Sequence, residues 1–106
     1  STLTAIANDY GYDVVFSRQM EALGRKGDVA IGISTSGKSE NILNAMKTAR
    51  SLGLDTIGIL GGDGGAVKQE CDIAIIAESK DTPRIQEAHA TICHILCALI
   101  EEEMFG

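Results

Sequence analysis

The stretch GISTSGKSENILNAM, residues 32–46, decides the fold, because an apolar run gives way there to a helical pattern across a cluster of hydroxyl residues. The run that leads into it, DVAIGIS (28–34), is short and contains β-branched residues, which is typical of a buried strand. Beyond the cluster, apolar residues recur at helical spacing as far as Gly53, which can end a helix. The stretch predicts a strand, a polar loop and a helix in succession.

The same order of elements repeats toward the C-terminus. DTIGIL (55–60) and DIAII (72–76) predict two more strands, separated by the glycine-rich segment GGDGG (61–65) and a short helical piece. Pro83, a favourable first residue of a helix, predicts a long helix that runs to about Met104. Strands that alternate with helices in this way predict an α/β domain in which helices cover a parallel sheet.

The composition bounds the class of protein. A length of 106 residues allows one domain, which we assign to residues 1–106. Nine Lys and Arg against fifteen Asp and Glu give a formal charge of -6, and no segment gathers the positive charge that binding to nucleic acid or a membrane surface requires. No apolar stretch reaches membrane-spanning length and no signal-peptide pattern is present. The three cysteines suit reduced thiols in the core better than a disulfide framework. We expect a cytoplasmic protein whose partner is a small ligand or another protein.

Four hydroxyl residues lie where the first predicted strand ends and the next helix begins: Ser34, Thr35, Ser36 and Ser39. Free N–H groups and the helix dipole favour an anion at such a place, and Gly37 allows the backbone to approach it closely. The alternative is that Ser36 or Ser39 only caps the helix while the others form a turn. The pattern leaves both interpretations open. For GGDGG we favour a tight crossover turn over a second ligand loop.

The long C-terminal helix has two different faces. One is an apolar stripe that we expect to face the sheet: Ile85, Ala88, Ile92, Ile95, Leu96 and Leu99. The other consists mainly of small residues, includes Gln86 and His94, and predicts packing against another helix or subunit. The pattern alone favours a hydrogen-bonded interface histidine at His94 over a catalytic or metal-binding one, and a structural role for His89.

Four segments together resemble the sugar isomerase (SIS) family, and within it the phosphoheptose isomerases: IANDYGYDVVFSRQMEALGRKGD, GISTSGKSENI, GGDGG and TPRIQEAHATICHILCALIEEEM. STSGxS is typical of SIS domains in general, whereas RIQExH with a second His five residues later is typical of the heptose enzymes. The resemblance covers nearly the whole chain. It implies a three-layer α/β/α domain with a flavodoxin-like parallel sheet, assembled as a homotetramer with active sites between subunits.

The resemblance also implies roles for individual residues. The hydroxyl cluster resembles the loop that binds the substrate phosphate, and Asn8 and Asp9 resemble a pair that contacts the sugar. Gln86 and His94 resemble ligands of a zinc ion; Gln86 is also expected at the substrate, and His94 also resembles the catalytic acid/base. We expect the family's remaining parts, a glycine-serine loop and a helix with a His ligand and a Glu base, to belong before Ser1, outside this chain.

The implied activity is the isomerisation of sedoheptulose 7-phosphate to D-glycero-D-manno-heptose 7-phosphate, a step toward ADP-heptose and lipopolysaccharide. We do not expect these 106 residues to catalyse it alone. One alternative is a non-enzymatic SIS adaptor that resembles the DnaA initiator-associating protein, which does not keep the second histidine that His94 supplies here. Another is a ligand-sensing regulator, for which a DNA-binding segment would be expected. We prefer the isomerase hypothesis.

Overall fold

A computed structural model describes residues 15–106, which form a three-stranded parallel sheet with helices on both faces. The elements follow one another in the order α1 (Val15–Leu23), β1 (Val29–Ser34), α2 (Glu40–Ser51), β2 (Asp55–Gly61), a 3₁₀ helix (Ala66–Glu70), β3 (Ile73–Ala77) and α3 (Thr82–Phe105). The three predicted strands are confirmed, each to within one residue at either end. The prediction of an α/β domain is confirmed with them.

The strands lie in the order β1-β2-β3, and both neighbouring pairs are parallel. Ile31, Ile57 and Ile73 lie side by side across the sheet, so residues with odd numbers share one face in all three strands. All three strands therefore end at the same edge. Because parallel strands need a crossover between them, that edge gathers the three loops that follow the strands.

The even-numbered face of the sheet packs against α2. Ala30 and Leu60 on the strands are buried, as are Met46 and Ala49 on the helix. Gly32 makes room for this contact, because a Cβ there would lie 2.8 Å from the Met46 sulfur. Each large side chain buried in this layer contributes roughly 1.5–3 kcal/mol from burial.

The odd-numbered face packs against the first turns of α3. Ile59 is fully buried there, and Ile85 and His89 of α3 are each 4% exposed. The His89 ring nitrogen Nε2 lies 2.6 Å from the carbonyl oxygen of Leu60, at the end of β2. This hydrogen bond confirms the structural role predicted for His89, since it fixes α3 against the sheet.

The remaining turns of α3 do not cover the sheet. A helix of 24 residues is about 36 Å long, whereas a strand of seven is about 24 Å long. Ile95 and Leu99 are each more than half exposed, so the expectation that the whole apolar stripe faces the sheet is wrong for them. On the same face of the sheet, Ile31 and Ile33 of β1 are about half exposed.

Two smaller expectations concern cysteines and membranes. All three cysteines are free thiols, but Cys97 is exposed rather than in the core. Burial raises the pKa of the half-buried Cys71 thiol, and the nearby carboxylates of Asp72 and Glu70 raise it further.

Among the helices of residues 15–106, none has the length and apolar character needed to cross a membrane.

Candidate active site

The carboxyl ends of the strands open onto a cleft of about 660 Å³. The loop after β1 contributes Thr35, Ser36 and Lys38 to its wall. Open clefts at this edge are the usual ligand sites of parallel α/β sheets, because the helices that follow the strands begin there. The sequence placed the hydroxyl cluster at this edge, and the structure brings two of its members to the cleft wall.

The other two hydroxyl residues, Ser34 and Ser39, do not line the cleft and contact each other instead. Ser34 is only 4% exposed. Its Oγ accepts the N–H of Gly37 at 3.0 Å and lies 3.1 Å from the Ser39 Oγ. Ser39 is the N-cap residue of α2 by position, yet its hydroxyl makes no capping hydrogen bond within the described residues. Its contact with Ser34 ties the start of α2 to the end of β1 instead.

A second hydrogen bond lies within the loop itself. The Ser36 hydroxyl accepts the N–H of Lys38 at 3.1 Å. The first intrahelical bond of α2 runs from the Leu43 N–H to the Ser39 carbonyl at 2.9 Å, so the amides before Leu43 lie outside the helical ladder. Hydroxyl groups, a lysine and the positive end of a helix dipole therefore meet at one wall of the cleft, which favours an anion.

Sequence analysis favoured a crossover turn over a ligand loop for the segment after β2, and it missed the cleft residues of the segment after β3. Gly62 and Asp63 line the cleft from the loop after β2, and Ser79, Lys80 and Thr82 line it from the segment after β3. Lys80 adds a second cation to the cleft wall. The predicted parallel topology could have indicated these residues, because all three strands of a parallel sheet end at one edge and their loops lie together there.

Asp63 is the acidic group of the glycine-rich loop. Its Oδ1 accepts the Gly65 N–H at 2.9 Å. This hydrogen bond is the main reason why the pKa of Asp63 lies below its ordinary value, and the positive charges of Lys38 and Lys68 lower that pKa further. The carboxylate is therefore ionised at neutral pH and makes part of the cleft wall negative.

Gln86 and His94 lie on α3, and both are exposed. Gln86 directly follows Ile85, which lines the cleft, whereas His94 lies eight residues further along, about 12 Å along the helix axis. The structure does not bring the two side chains together at the cleft. Asn8 and Asp9, predicted to contact the sugar, lie outside the described residues.

A zinc site would need about four ligands. Within residues 15–106 no group of three or more His, Cys, Asp or Glu side chains is placed to hold a metal ion. An imidazole is a usual zinc ligand and an amide oxygen is not. The described residues thus fit a zinc site only in part, with His94 as its best donor and Gln86 as a second.

A parallel α/β sheet that opens at its carboxyl edge onto a cleft lined by hydroxyl residues and two lysines is typical of α/β domains that bind small ligands there. The SIS domain family matches residues 1–61 of the chain. The protein therefore belongs to the SIS domain family, as the sequence motifs indicated.

Its relatives share one description. The chain is 62% identical to a phosphoheptose isomerase of a Nitratiruptor species over 96% of this chain and 54% of that protein. It is 58% identical to a phosphoheptose isomerase of Clostridium acetobutylicum over 100% of this chain and 54% of that protein. The chain thus spans about half the length of the curated relatives it matches.

Solved structures agree with the fold. A phosphoheptose isomerase from Neisseria gonorrhoeae superimposes with a TM-score of 0.92 at 44% identity, covering 95% of this chain and 56% of that one. One from Francisella tularensis superimposes with a TM-score of 0.91 at 40% identity over the same shares. The three-layer α/β/α SIS fold expected from the sequence is confirmed, and the match to just over half of each relative is as expected for a C-terminal part.

Proposed function

We propose that the protein is an aldose-ketose isomerase that converts sedoheptulose 7-phosphate into D-glycero-D-manno-heptose 7-phosphate, in the cytoplasm and toward ADP-heptose and lipopolysaccharide. The cleft at the carboxyl edge of the sheet is the observation that carries the proposal. Its hydroxyls and lysines suit a phosphate group, and its volume has room for the sugar attached to it. The phosphoheptose isomerases among the relatives support the choice of a seven-carbon substrate.

In this proposal the phosphate positions the sugar and does not react. Thr35 and Ser36 donate hydrogen bonds to the phosphate oxygens, and Lys38 and Lys80 supply positive charge. Ser34 and Ser39 act through the loop conformation that their hydrogen bonds maintain. A fixed phosphate holds the reacting carbons in a constant position relative to the acid and base.

Moving the carbonyl from C2 to C1 requires one proton to leave a carbon and another to be delivered to its neighbour. His94 is our candidate for one of the two acid/base groups, since an imidazole can both accept and donate a proton and such a group contributes about 10²- to 10⁴-fold. The second group comes from outside the described residues. Asn8 and Asp9 are proposed to contact the sugar hydroxyls.

The site is proposed to be completed between subunits of a homotetramer. His94 lies about two helical turns beyond Gln86, and apolar residues of α3 next to it, Ile95 and Leu99, are more than half exposed. Packing that surface against a second copy would bury those residues and bring His94 to another subunit's cleft. A zinc ion held by His94, Gln86 and ligands outside the described residues would polarise the sugar oxygens.

The test is the replacement of His94 by Asn in the full-length protein, assayed for isomerisation of sedoheptulose 7-phosphate with and without added zinc. We expect turnover to fall by about 10²-fold or more, with the oligomer mass and melting temperature unchanged. Thr91→Ala, at an exposed position one turn earlier on α3, is the matched control and should retain activity. Substantial turnover in His94→Asn would refute the assignment, and an inactive wild type that still forms the oligomer would favour the adaptor.

A further inference from the structure

Two loops at the carboxyl edge of the sheet are in direct backbone contact. They are the hydroxyl loop, residues 34–39, and the glycine loop, residues 61–65. A Cβ built on Gly37 would overlap the carbonyl group of Gly64, and one built on Gly65 would overlap the carbonyl group of Gly37. The two backbones are therefore too close together for a side chain at Gly37 or Gly65. A simple crossover turn does not require such a close contact.

Hydrogen bonds hold the Gly37 residue on both sides. Its carbonyl oxygen accepts the N–H of Val67, just after the glycine loop, at 3.0 Å. Its own N–H is donated to the Ser34 hydroxyl at 3.0 Å. Val67 is fully buried in the core beneath the loop. The position of the hydroxyl loop is thereby set by a residue of the core and by the backbone of the glycine loop.

Asp63 fixes the glycine loop in turn. Gly65 has φ +54° and ψ −157°, a region that essentially glycine alone adopts. The Asp63 carboxylate holds it there by accepting the Gly65 N–H at 2.9 Å. The chain of contacts runs from Asp63 through Gly65 to Gly37, which lies between Ser36 and Lys38 of the cleft wall.

We propose that the glycine loop is a positioning element, in which Asp63 and Gly65 hold the hydroxyl loop in the conformation that binds the phosphate group. This inference rests on the proposed function and adds to it two residues that do not themselves bind the anion. A displacement of the hydroxyl loop by about 1 Å is enough to weaken a well-oriented site strongly. The glycine loop is then neither only a turn nor a second ligand loop.

The proposal and simple electrostatics predict opposite effects on phosphate binding when the Asp63 carboxylate is removed. Asp63 is a negative group on the wall of a cleft that takes an anion. Removal of its charge should by itself strengthen phosphate binding. Loss of its hydrogen bond to Gly65 should weaken phosphate binding if the loop is a positioning element. Asp63→Asn removes the charge and keeps the acceptor oxygen, whereas Asp63→Ala removes both.

The experiment measures the affinity of inorganic phosphate for the full-length protein by titration calorimetry. We expect Asp63→Asn to bind at least as tightly as the wild type, and Asp63→Ala to bind about threefold or more weakly than Asp63→Asn, the effect of one net hydrogen bond. If the wild type binds phosphate, equal affinities in these two variants, or tighter binding by Asp63→Ala, would overturn the proposal.

A second pair of variants addresses the backbone contact. Gly65→Ala places a Cβ against Gly37 and should weaken phosphate binding about tenfold or more, whereas Gly27→Ala should leave it unchanged. Gly27 also has a positive φ, of +94°, but a Cβ there meets nothing within 4 Å, and it lies in the turn before β1 at the opposite edge of the sheet. If Gly65→Ala does not fold, the Asp63 pair decides.

Amide hydrogen exchange in the same proteins separates this inference from the proposed function. The amides of Gly37 and Val67 should exchange faster in Asp63→Ala than in Asp63→Asn, whether or not phosphate is present. If the wild type binds no phosphate but this difference is found, the positioning role stands and the proposed function fails. If phosphate binds and the two variants exchange alike, the positioning role fails and the phosphate site stands.

Discussion

The two edges of the sheet are both polar, yet their polar groups are used in different ways. At the amino edge, the fully buried Thr56 donates its hydroxyl to the Glu70 carbonyl at 3.1 Å and its N–H to the Asp72 carboxylate at 2.9 Å. Its hydroxyl also accepts the Asp72 N–H at 2.9 Å. At the carboxyl edge, Thr35 and Ser36 face an open cleft.

The difference separates a structural polar cluster from a functional one. A buried polar group whose hydrogen bonds are all internal stabilises the fold and has nothing left for a ligand. Polar groups on the wall of an open cleft add little to stability and exchange solvent for ligand at low cost. The following changes should therefore affect stability at the amino edge and binding at the carboxyl edge.

The largest effect is expected for Thr56→Val, which has the same shape but no hydroxyl. The Glu70 carbonyl loses a donor inside the protein, so the free energy of unfolding should fall by about 1–3 kcal/mol. Urea denaturation measures it, and Thr56→Ser, which keeps the hydroxyl, should lose less. Phosphate affinity should not change in either variant. A weaker affinity in Thr56→Val at full folding would show that the two edges are coupled.

Much of the fold was predictable because local pattern determines it. The runs around Ile33, Ile59 and Ile75 are short, apolar and bounded by turn residues, and the three strands lie where those runs are. How far each helix packs against the sheet was not predictable in the same way. Periodicity shows which face of α3 is apolar, but the lengths of the neighbouring elements decide how much of that face is buried. Ile95 lies beyond the part of α3 that packs against the sheet, so it is exposed.

The candidate site was predictable in its position and less so in its detail. The hydroxyl cluster follows a strand of a parallel sheet, which is enough to place it at the ligand edge. Nothing in the local sequence distinguishes Ser34, which is buried, from Ser36, which lines the cleft. The contact of Gly37 with Gly65 joins segments distant in sequence, so it depends on the tertiary structure.

A moderate effect is expected from the lysines of the cleft. Replacement of Lys38 or Lys80 by Ala should weaken phosphate binding about two- to fivefold each, the scale of an exposed charge pair, and leave the unfolding free energy unchanged. Lys26→Ala, in the turn at the amino edge, is the matched control. The loss should shrink as NaCl is raised toward 1 M, because salt screens the attraction; a loss independent of salt would indicate a direct, desolvated contact instead.

The smallest effect is expected near the amino edge, where Arg50 of α2 reaches the 3₁₀ helix. Its guanidinium donates to the Gln69 carbonyl at 3.2 Å and lies 3.5 Å from a carboxylate oxygen of Glu70. Both side chains are partly exposed, so the ion pair itself should contribute less than about 1 kcal/mol. Glu70→Gln removes that pair and keeps the bond to Gln69.

Urea denaturation of Glu70→Gln and Arg50→Ala separates the two contributions of Arg50. The loss in Glu70→Gln should be about 0.5 kcal/mol or less and should vanish in 1 M NaCl, because an exposed pair is screened. Arg50→Ala should lose somewhat more at every salt concentration, since the hydrogen bond to the Gln69 carbonyl goes as well. No loss in Glu70→Gln, together with a salt-independent loss in Arg50→Ala, would mean that the ion pair contributes nothing and that Arg50 acts through its bond to the Gln69 carbonyl alone. The amino edge would then be held by hydrogen bonds throughout, and charge would matter only at the carboxyl edge.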